Sequence, residues 1–419
     1  MRLKVFAIII VLLALAMSRS QLSFFNINAA FNKKTLLRTR VHNSTLKKQT
    51  REKTPPKGSY LVETAHNELA AKIAELLKKA ERLGFHGNVL VAHKNHTLFK
   101  GATGYSNPIS GIKANLNDYY QLASVSKQFT AISILQLVDS NLIHLDDPIK
   151  VYLPELPYQK VTIRHLLNHT SGMQNYMWVL ENYWPPSKLP KNEDVISLLA
   201  RFKLPLNYYP GRTFEYTNTN YVLLASIVER VSGKPFNTYL KERVFKPIGM
   251  TSFTFIDDEH AKALAGYDLS GKKYKKIGTY VNDGALGDKG VFASLSDLLK
   301  WDMALNKHLL VSPGLLKEAF TPGKTNNGKT FEYGLGFRLK MLGESQIVYH
   351  NGLWNGFRTS IIKNMDNETT IIILNNTNCP AKYWLSDEME RLMNKNISLT
   401  NIVNKMQLST KANVNIEQC

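Results

Sequence analysis

The sequence predicts an α/β protein of the α+β kind, with an antiparallel sheet flanked by helices, built from both chain ends, and a mainly helical domain inserted between them. Three observations lead to this prediction. Short apolar and β-branched runs predict strands near residues 88–103 and again near 335–374. Between them, over about 118–245, apolar residues recur at helical spacing. A chain of 419 residues has enough length for a large core in one or two closely packed domains.

The predicted elements begin with an amphipathic helix over 62–83, which glycines end. Two strands over 88–93 and 97–103 form a hairpin across the polar residues between them. Loops rich in proline and asparagine separate the helices of the middle region, and we expect this helical subdomain to cover about 118–285. The last elements are four strands and a helix, over 335–341, 346–349, 357–363, 369–374 and 381–394.

The first twenty residues have the pattern of a secretory signal peptide. Arg2 and Lys4 precede an apolar run, 5–17, which is shorter than the roughly 20 residues of a transmembrane helix. Residues 16–18, Ala-Met-Ser, form an acceptable cleavage site. We therefore expect an exported protein, periplasmic or extracellular, with a membrane anchor formed by an uncleaved signal as the alternative.

Residues 21–58 are basic and aperiodic, which predicts a flexible spacer before a folded domain over 60–394. Residues 1–58 carry +11 of the formal net charge of +20. Such a spacer can make peripheral contact with a membrane or an anionic polymer, or it can be a solvated tether. The polar residues 395–419 are expected to form a tail.

The sequence argues against several classes of function. No nucleic-acid partner is expected, because an exported domain without interleaved basic and aromatic residues lacks a base-stacking surface. Cys379 and Cys419, the only cysteines, cannot build a disulfide framework and lack metal-ligand spacing. We therefore expect no metal and no cofactor. The chain also lacks the G-x-S-x-G elbow, the H-E-x-x-H zinc helix and a Gly-rich phosphate loop.

The main chemical signal is Ser124-Val125-Ser126-Lys127 at the start of an apolar helix. Residues three apart on a helix share one face, so the serine and the lysine can meet. A serine hydroxyl needs a base to take its proton, and a lysine can be that base only if burial lowers its pKa. The same spacing recurs at Ser44 and Ser270, but neither copy opens an apolar helix.

Two further motifs lie later in the chain. Tyr216-Thr217-Asn218 stands between a Pro-Gly turn and a helix, where a phenol and an amide can project into a cleft. His350-Asn351-Gly352 ends an apolar strand, where the glycine allows a ligand close to the backbone and the imidazole can donate a hydrogen bond.

These three motifs, in this order, resemble those of the serine β-lactamase and penicillin-binding-protein superfamily, specifically its class C β-lactamase-like branch. The resemblance covers about 60–394 and implies a β-lactamase/transpeptidase-like fold. It is supported by longer matching stretches over 85–92, 122–131, 145–148, 163–172 and 333–337.

The resemblance also implies a role for each motif residue. Ser124 would be the acylated nucleophile, with Lys127 and Tyr216 sharing the work of general base in an order that the sequence leaves open. Asn218 would bind the substrate's amide. The segment His350-Asn351-Gly352-Leu353 would bind substrate, and the N–H groups of Leu353 and Ser124 would form the oxyanion hole, each worth roughly 3 kcal/mol in other hydrolases.

Two departures from the K-T-G motif of β-lactamases affect the expected substrate. Histidine replaces lysine at 350 and asparagine replaces the hydroxyl residue at 351. A mostly neutral histidine weakens the grip on a β-lactam carboxylate, so weak β-lactamase activity is expected. The expected function is hydrolysis of amide or ester bonds in a small-molecule or peptide substrate, of the D-Ala-D-Ala type found in peptidoglycan, by a monomer. A carboxylesterase is the first alternative, and a non-catalytic binding or scaffold protein with the same fold is the second.

Overall fold

The structure is a computed structural model that describes residues 61–62, 68–258, 263–271 and 273–395. The predicted signal peptide, the whole of the spacer and nearly all of the tail lie outside the described residues. None of the helices in the described ranges has the length and apolar character needed to cross a membrane.

A seven-stranded antiparallel sheet joins the two ends of the domain, as the sequence predicts. Its strand order is β1-β3-β2-β16-β15-β14-β13, so the early hairpin lies beside the last strands of the chain. The pairing of β16 with β2, from Thr369 opposite His93 to Asn375 opposite Gly87, makes this junction. The seven strands are β1 Leu61–Val62, β2 Gly87–His93, β3 His96–Thr103, β13 Arg338–Leu342, β14 Ser345–Trp354, β15 Phe357–Asn364 and β16 Thr369–Asn375.

The described residues also form one three-stranded sheet and three two-stranded sheets. They are β4 Tyr105–Asn107 with β5 Ile112–Lys113, β6 Tyr120–Gln121 with β10 Val291–Ala293 and β7 Phe253–Phe255, β8 Tyr267–Ser270 with β9 Lys273–Lys276, and β11 Gly323–Lys324 with β12 Thr330–Phe331.

Most of the helices lie between the two groups of sheet strands. In chain order they are α1 Glu68–Arg82, α2 Lys127–Asp139, α3 Ile163–Leu167, α4 Met177–Tyr183, α5 Asn192–Phe202, α6 Thr219–Ser232, α7 Phe236–Tyr239, α8 Leu295–Asn306, α9 Pro313–Ala319 and α10 Ala381–Lys395. A 3₁₀ turn, Ala123–Ser126, leads directly into α2. A π-helical turn, Leu240–Phe245, follows α7.

Helices cover both faces of the central strands. Helices α1 and α10 pack on one face, where Ile73 and Leu385 meet Val89 and Ile371 in one apolar cluster. The helical region packs on the other face, where Leu90 and Ile372 join a larger cluster. Every residue of β16 is consequently buried, which explains why its sequence is a continuous apolar and threonine run.

The structure differs from the predicted elements at three places. The first helix begins at Glu68 among the described residues, because Leu61–Val62 pair with β3 as a strand opposite Ala102 and Gly101. The strand containing His350 does not end there but continues to Trp354, paired throughout with β15.

The third difference is the segment that begins at Tyr267, for which no strand was predicted. It forms the hairpin β8–β9, and the Tyr274 hydroxyl lies 2.7 Å from Nε2 of the buried His86. This contact attaches β9 to the domain despite its run of lysines.

Candidate active site

The nucleophile sits on a sharp turn at the start of the central helix. Ala123 has a φ of +49°, a left-handed conformation that is rare for a residue with a side chain and marks local strain. Ala123 is fully buried, whereas Ser124 is half-buried and lines a cleft. The strained turn therefore turns the Ser124 hydroxyl out of the core towards solvent.

Lys127 lies directly beneath Ser124 and has no exposed surface. Its Nζ donates to the Asn218 Oδ1 and to the backbone carbonyl of Asp288, both at 2.8 Å. It also lies 3.2 Å from the Ser124 Oγ. A neutral amine has two N–H donors and one lone pair, so the two carbonyl oxygens use both donors and leave the lone pair for the serine hydroxyl.

Burial also prepares this amine to be neutral. Desolvation lowers the pKa of Lys127 from 10.5 to about 7, with the positive charge of Arg338 acting in the same direction and Asp288 in the opposite one. At pH 7 roughly half of the molecules would then hold the free amine.

Tyr216 completes the predicted group of three. Its ring centroid is 5.0 Å from the Lys127 Nζ, and its buried hydroxyl has no hydrogen-bond partner of ordinary geometry among the described residues. Burial raises the pKa of Tyr216, although the Ser124 hydroxyl and Arg338 act to lower it. The phenol is therefore neutral and better suited to passing a proton than to removing one as a phenolate.

His169 supports Tyr216 from behind. The two ring centroids are 4.2 Å apart with the ring planes tilted by 35°, and His169 Nδ1 accepts from the Thr217 backbone N–H at 3.3 Å. Burial, together with the nearby cations, keeps the pKa of His169 well below its usual range, so the ring is neutral. The turn His169–Gly172 follows α3 and places this ring behind Tyr216.

Gly352 allows the nucleophile turn to pack directly against β14. A Cβ at this position would lie 2.2 Å from the carbonyl oxygen of Leu122 and 2.2 Å from the Thr359 Oγ1. Only a glycine fits there without displacing the turn that carries Ser124. This motif therefore requires glycine because the strand and the nucleophile turn pack so closely at this position.

Beyond this contact, β14 has an open edge. Strand β13 pairs with it only from Leu342 opposite Ser345 to Arg338 opposite Tyr349. Residues 350–354 consequently lack a β13 partner, and Asn351 and Leu353 line the cleft beside Ser124. Leu353 is 54% exposed. Its N–H as an oxyanion donor stays a prediction.

The position of His350 does not fit the substrate-binding role that the sequence predicts for it. It is completely buried and does not line the cleft. Its Nδ1 donates to the Asn351 carbonyl at 2.8 Å, and its Nε2 accepts from the Tyr333 hydroxyl at 3.2 Å. Burial, helped by nearby cations, holds the pKa of His350 well below its usual range. With both ring nitrogens used by the protein, His350 supports the cleft wall and does not contact a substrate directly.

The cleft contains charges that the motifs do not include. Arg338, half-buried at the start of β13, lies 4.9 Å above the Tyr216 ring and makes no ion pair with any described residue. Asp288 and Lys289 form a buried ion pair at 2.9 Å, and the lysine also donates to the Tyr176 hydroxyl at 2.8 Å. Two signals could have found them: the stretch 333–337 ends one residue before Arg338, and glycines at 287 and 290 flank the ion pair.

The cleft has a volume of about 330 Å³. It is lined by Ser124, Tyr216, Asn218, Asp288, Lys289, Arg338, Asn351, Leu353, Trp354 and Tyr383. No group of three or more metal-ligating side chains occurs in the ranges that the structure describes. A serine with a buried amine as its base, in a fold of this kind, defines a serine hydrolase that works through an acyl-enzyme.

Comparisons with known proteins identify the family. A family model described as Beta-lactamase matches residues 69–392. Penicillin-binding protein 4* of Bacillus subtilis (strain 168) is 34% identical over 322 residues, which cover 72% of this chain and 70% of that protein. The penicillin binding protein from Bacillus halodurans has a similar solved structure, with a TM-score of 0.66 and 26% identity over 78% of this chain and 100% of that one. The chain therefore belongs to the Beta-lactamase family.

A second group of relatives carries a different activity in its name. A D-aminopeptidase of Brucella anthropi is 28% identical over 276 residues, which cover 65% of this chain and 52% of that protein. The chain thus spans about half the length of this relative. The family and both kinds of relative agree with the serine-hydrolase chemistry that the site supports.

Proposed function

We propose that the protein hydrolyses peptides that end in D-amino acids, of the D-Ala-D-Ala type, and that the reaction passes through an acyl-enzyme on Ser124. The name of one relative, a penicillin-binding protein, supports a substrate of this class, and the name of another, a D-aminopeptidase, supports a D-amino acid in the substrate. The observation that carries the proposal is the Arg338 guanidinium, a cation in the cleft without a carboxylate partner among the described residues.

The first step is attack by the Ser124 Oγ on the substrate's carbonyl carbon. Lys127 takes the hydroxyl proton, because its Nζ lies 3.2 Å from this oxygen and a neutral amine has both its N–H groups used by the two carbonyl oxygens. The tetrahedral intermediate collapses when the leaving amine receives a proton from the ammonium, through the neutral Tyr216 phenol. Water then attacks the acyl carbonyl and gives one proton to Lys127. The second tetrahedral intermediate collapses as the ammonium returns this proton to the Ser124 Oγ, which releases the acid.

Arg338 would hold the substrate's terminal carboxylate. A guanidinium can bind both carboxylate oxygens at once, which gives orientation as well as affinity. The open edge of β14 at residues 350–354 supports the same binding mode, because an extended peptide can pair with unpaired backbone groups.

The test compares two peptides that differ only at the terminal group. Wild-type protein should hydrolyse an acyl-D-Ala-D-Ala acid with a KM roughly tenfold or more below that for the C-terminal amide. In Arg338→Met this difference should disappear, with Ser124→Ala as the inactive control. Equal KM values for the acid and the amide in the wild type would contradict the assignment of Arg338.

A carboxylesterase remains the alternative that the cleft favours next. Leu353 and Trp354 give one side of the cleft an apolar surface suited to an acyl group. Hydrolysis of p-nitrophenyl esters with higher kcat/KM than any D-amino-acid peptide would support this alternative. Slow turnover of β-lactams is still expected, because His350 stands in place of the lysine of the K-T-G motif.

A non-catalytic scaffold is the last alternative. A binding protein has no use for a buried amine beside a serine, since burying a lysine is costly. A fluorescent penicillin or a fluorophosphonate should label the wild type and not Ser124→Ala. Failure of every acylating probe would favour the scaffold.

We also propose that the protein is exported by residues 1–20 and meets its substrate in peptidoglycan, as a monomer. The basic spacer would then lie near a membrane or an anionic polymer. Cell fractionation, N-terminal sequencing of the mature protein and size-exclusion chromatography test the location, the cleavage and the monomer.

A further inference from the structure

A lysine from the last helix reaches the cleft from the opposite face of the sheet. Lys382, the second residue of α10, is 1% exposed, and its Nζ donates to the Asn351 Oδ1 at 2.9 Å. The Ser360 hydroxyl, directly across the strands from Asn351, also donates to this oxygen. Asn351 is therefore held from below by two donors while it lines the cleft above.

This contact fixes which end of the Asn351 amide faces the cleft. The Lys382 amine donates in this contact whether it is charged or neutral, so its partner must be an acceptor. The Ser360 hydroxyl can donate or accept and would fit either end of the amide. The oxygen of the amide must consequently point at Lys382. The amide nitrogen, with its two N–H donors, is left over, and it has no hydrogen-bond partner among the described residues.

We propose that Lys382 is a positioning residue, which orients the Asn351 amide so that its N–H donors face the substrate. The subsite would then select a hydrogen-bond acceptor, a carboxylate or carbonyl oxygen, at the position next to the scissile bond. This inference rests on the proposed function, because it assigns the subsite within the same cleft.

The surroundings of Lys382 keep this orientation over a wide pH range. The charged groups that act on it are Arg358 and Lys340, which oppose its charge, and Glu390 and Asp387, which favour it. Its Nζ also lies 4.6 Å from the ring centroid of Tyr383. Burial lowers the pKa of Lys382 to about 7, but the neutral amine still donates to the Asn351 oxygen.

The test is a double-mutant cycle on Lys382→Met and Asn351→Ala, followed by KM and kcat for an acyl-D-Ala-D-Ala peptide. The concentration giving half-maximal acylation by a fluorescent penicillin, which also carries a carboxylate, is measured in parallel. Each single variant should raise the KM for the peptide and the half-maximal concentration of penicillin roughly tenfold, with a smaller change in kcat. The double variant should match Asn351→Ala alone, because a positioning residue has no effect once the group it positions is absent.

Two further variants separate positioning from a general effect on folding. Asn351→Asp keeps an oxygen acceptor for Lys382 but removes the N–H donors of the amide. It should therefore raise KM and the half-maximal penicillin concentration as Asn351→Ala does. Lys79→Met is the matched control, because Lys79 packs over Trp384 of the same helix and does not contact Asn351. It should leave both constants at the wild-type value.

Two results would overturn the inference. One is a wild-type KM in Lys382→Met, and the other is a double variant in which the two single effects multiply. Absence of peptide hydrolysis by the wild type would instead count against the proposed function, and the penicillin arm would still decide the role of Lys382.

Discussion

At the scale of single residues, the chemistry depends on the hydrogen bonds of one buried amine. Two carbonyl oxygens, from Asn218 and Asp288, take the donors of Lys127, and this leaves its lone pair for Ser124. The neutral Tyr216 phenol lies beside them and is not a competing base. The structure thus favours Lys127 as the first proton acceptor, a point that the sequence left open.

The pH dependence of acylation follows from this arrangement. The free amine is the active form, so kcat/KM should rise with pH and level off above a pKa near 7. Arg338→Met should move this limb to higher pH, because Arg338 lowers the pKa of Lys127. The measurement uses the neutral ester p-nitrophenyl acetate, so that the loss of a carboxylate contact does not contribute. A limb that stays in place or moves to lower pH in the variant would contradict the assignment.

At the scale of elements, the position of the nucleophile depends on the contact between the 3₁₀ turn and β14. The turn lies against the strand at Gly352, where there is no room for a side chain. The strand is held in turn by β15, which pairs with it from Ile347 to Trp354. A side chain added at this contact should therefore displace the turn, because the strand is fixed by its pairing with β15.

Gly352→Ala should displace the nucleophile turn. The added methyl group would overlap the Leu122 carbonyl, so we expect unfolding free energy to fall by roughly 1–3 kcal/mol and acylation to slow at least 100-fold. Gly314→Ala is the control, because a Cβ there meets no atom within 4 Å. Fluorescent-penicillin labelling and thermal unfolding measure both effects. Wild-type labelling by Gly352→Ala would show that the close contact is not needed.

The elements that the sequence predicts best are those with a simple periodic pattern. The hairpin β2–β3 and the strand Thr369–Asn375 were predicted closely, because both are short apolar runs with clear ends. The first helix was extended too far back, since Leu61–Val62 are apolar enough for either structure and only their partners in β3 decide. The lysine-rich strand β9 has no apolar pattern and is attached by Tyr274.

The sequence predicted those residues of the site that belong to the three motifs. Ser124, Lys127, Tyr216 and Asn218 lie together as the motifs suggest. Arg338 and Lys382 were missed because each stands alone in the sequence and becomes part of the cleft only through strand pairing or helix packing. The buried position of His350 was missed for the same reason, since its neighbour Tyr333 comes from another segment.

At the scale of the whole molecule, the buried lysines reduce stability in exchange for function. Burial lowers the pKa of Lys127 and Lys382 from 10.5 to about 7 and lowers that of Lys289 as well. Between about pH 7 and 10, the unfolded chain therefore binds more protons at these lysines than the folded protein does. The free energy of unfolding should rise with pH from about 7 to about 9. Nearer pH 10 the buried tyrosines oppose this rise, because burial raises their pKa in the folded protein and they ionise first in the unfolded chain.

Urea unfolding at several pH values tests this expectation. The free energy of unfolding should increase from about pH 7 to about pH 9 at constant ionic strength, and less steeply in Lys382→Met, which lacks one of the titrating groups. Lys79→Met should retain the wild-type slope, because Lys79 lies at the surface groove between α1 and α10. A stability that falls over this range in the wild type would mean that the lysines are not held as neutral amines.

The most direct measurement of the central claim is peptide mapping by mass spectrometry after reaction with a fluorescent penicillin. The account predicts one acyl group, attached to Ser124, in the wild type. Lys127→Ala should show none over the same time, because the hydroxyl has lost the amine that removes its proton. An adduct on another residue, or acylation of Ser124 at the wild-type rate in Lys127→Ala, would contradict the account.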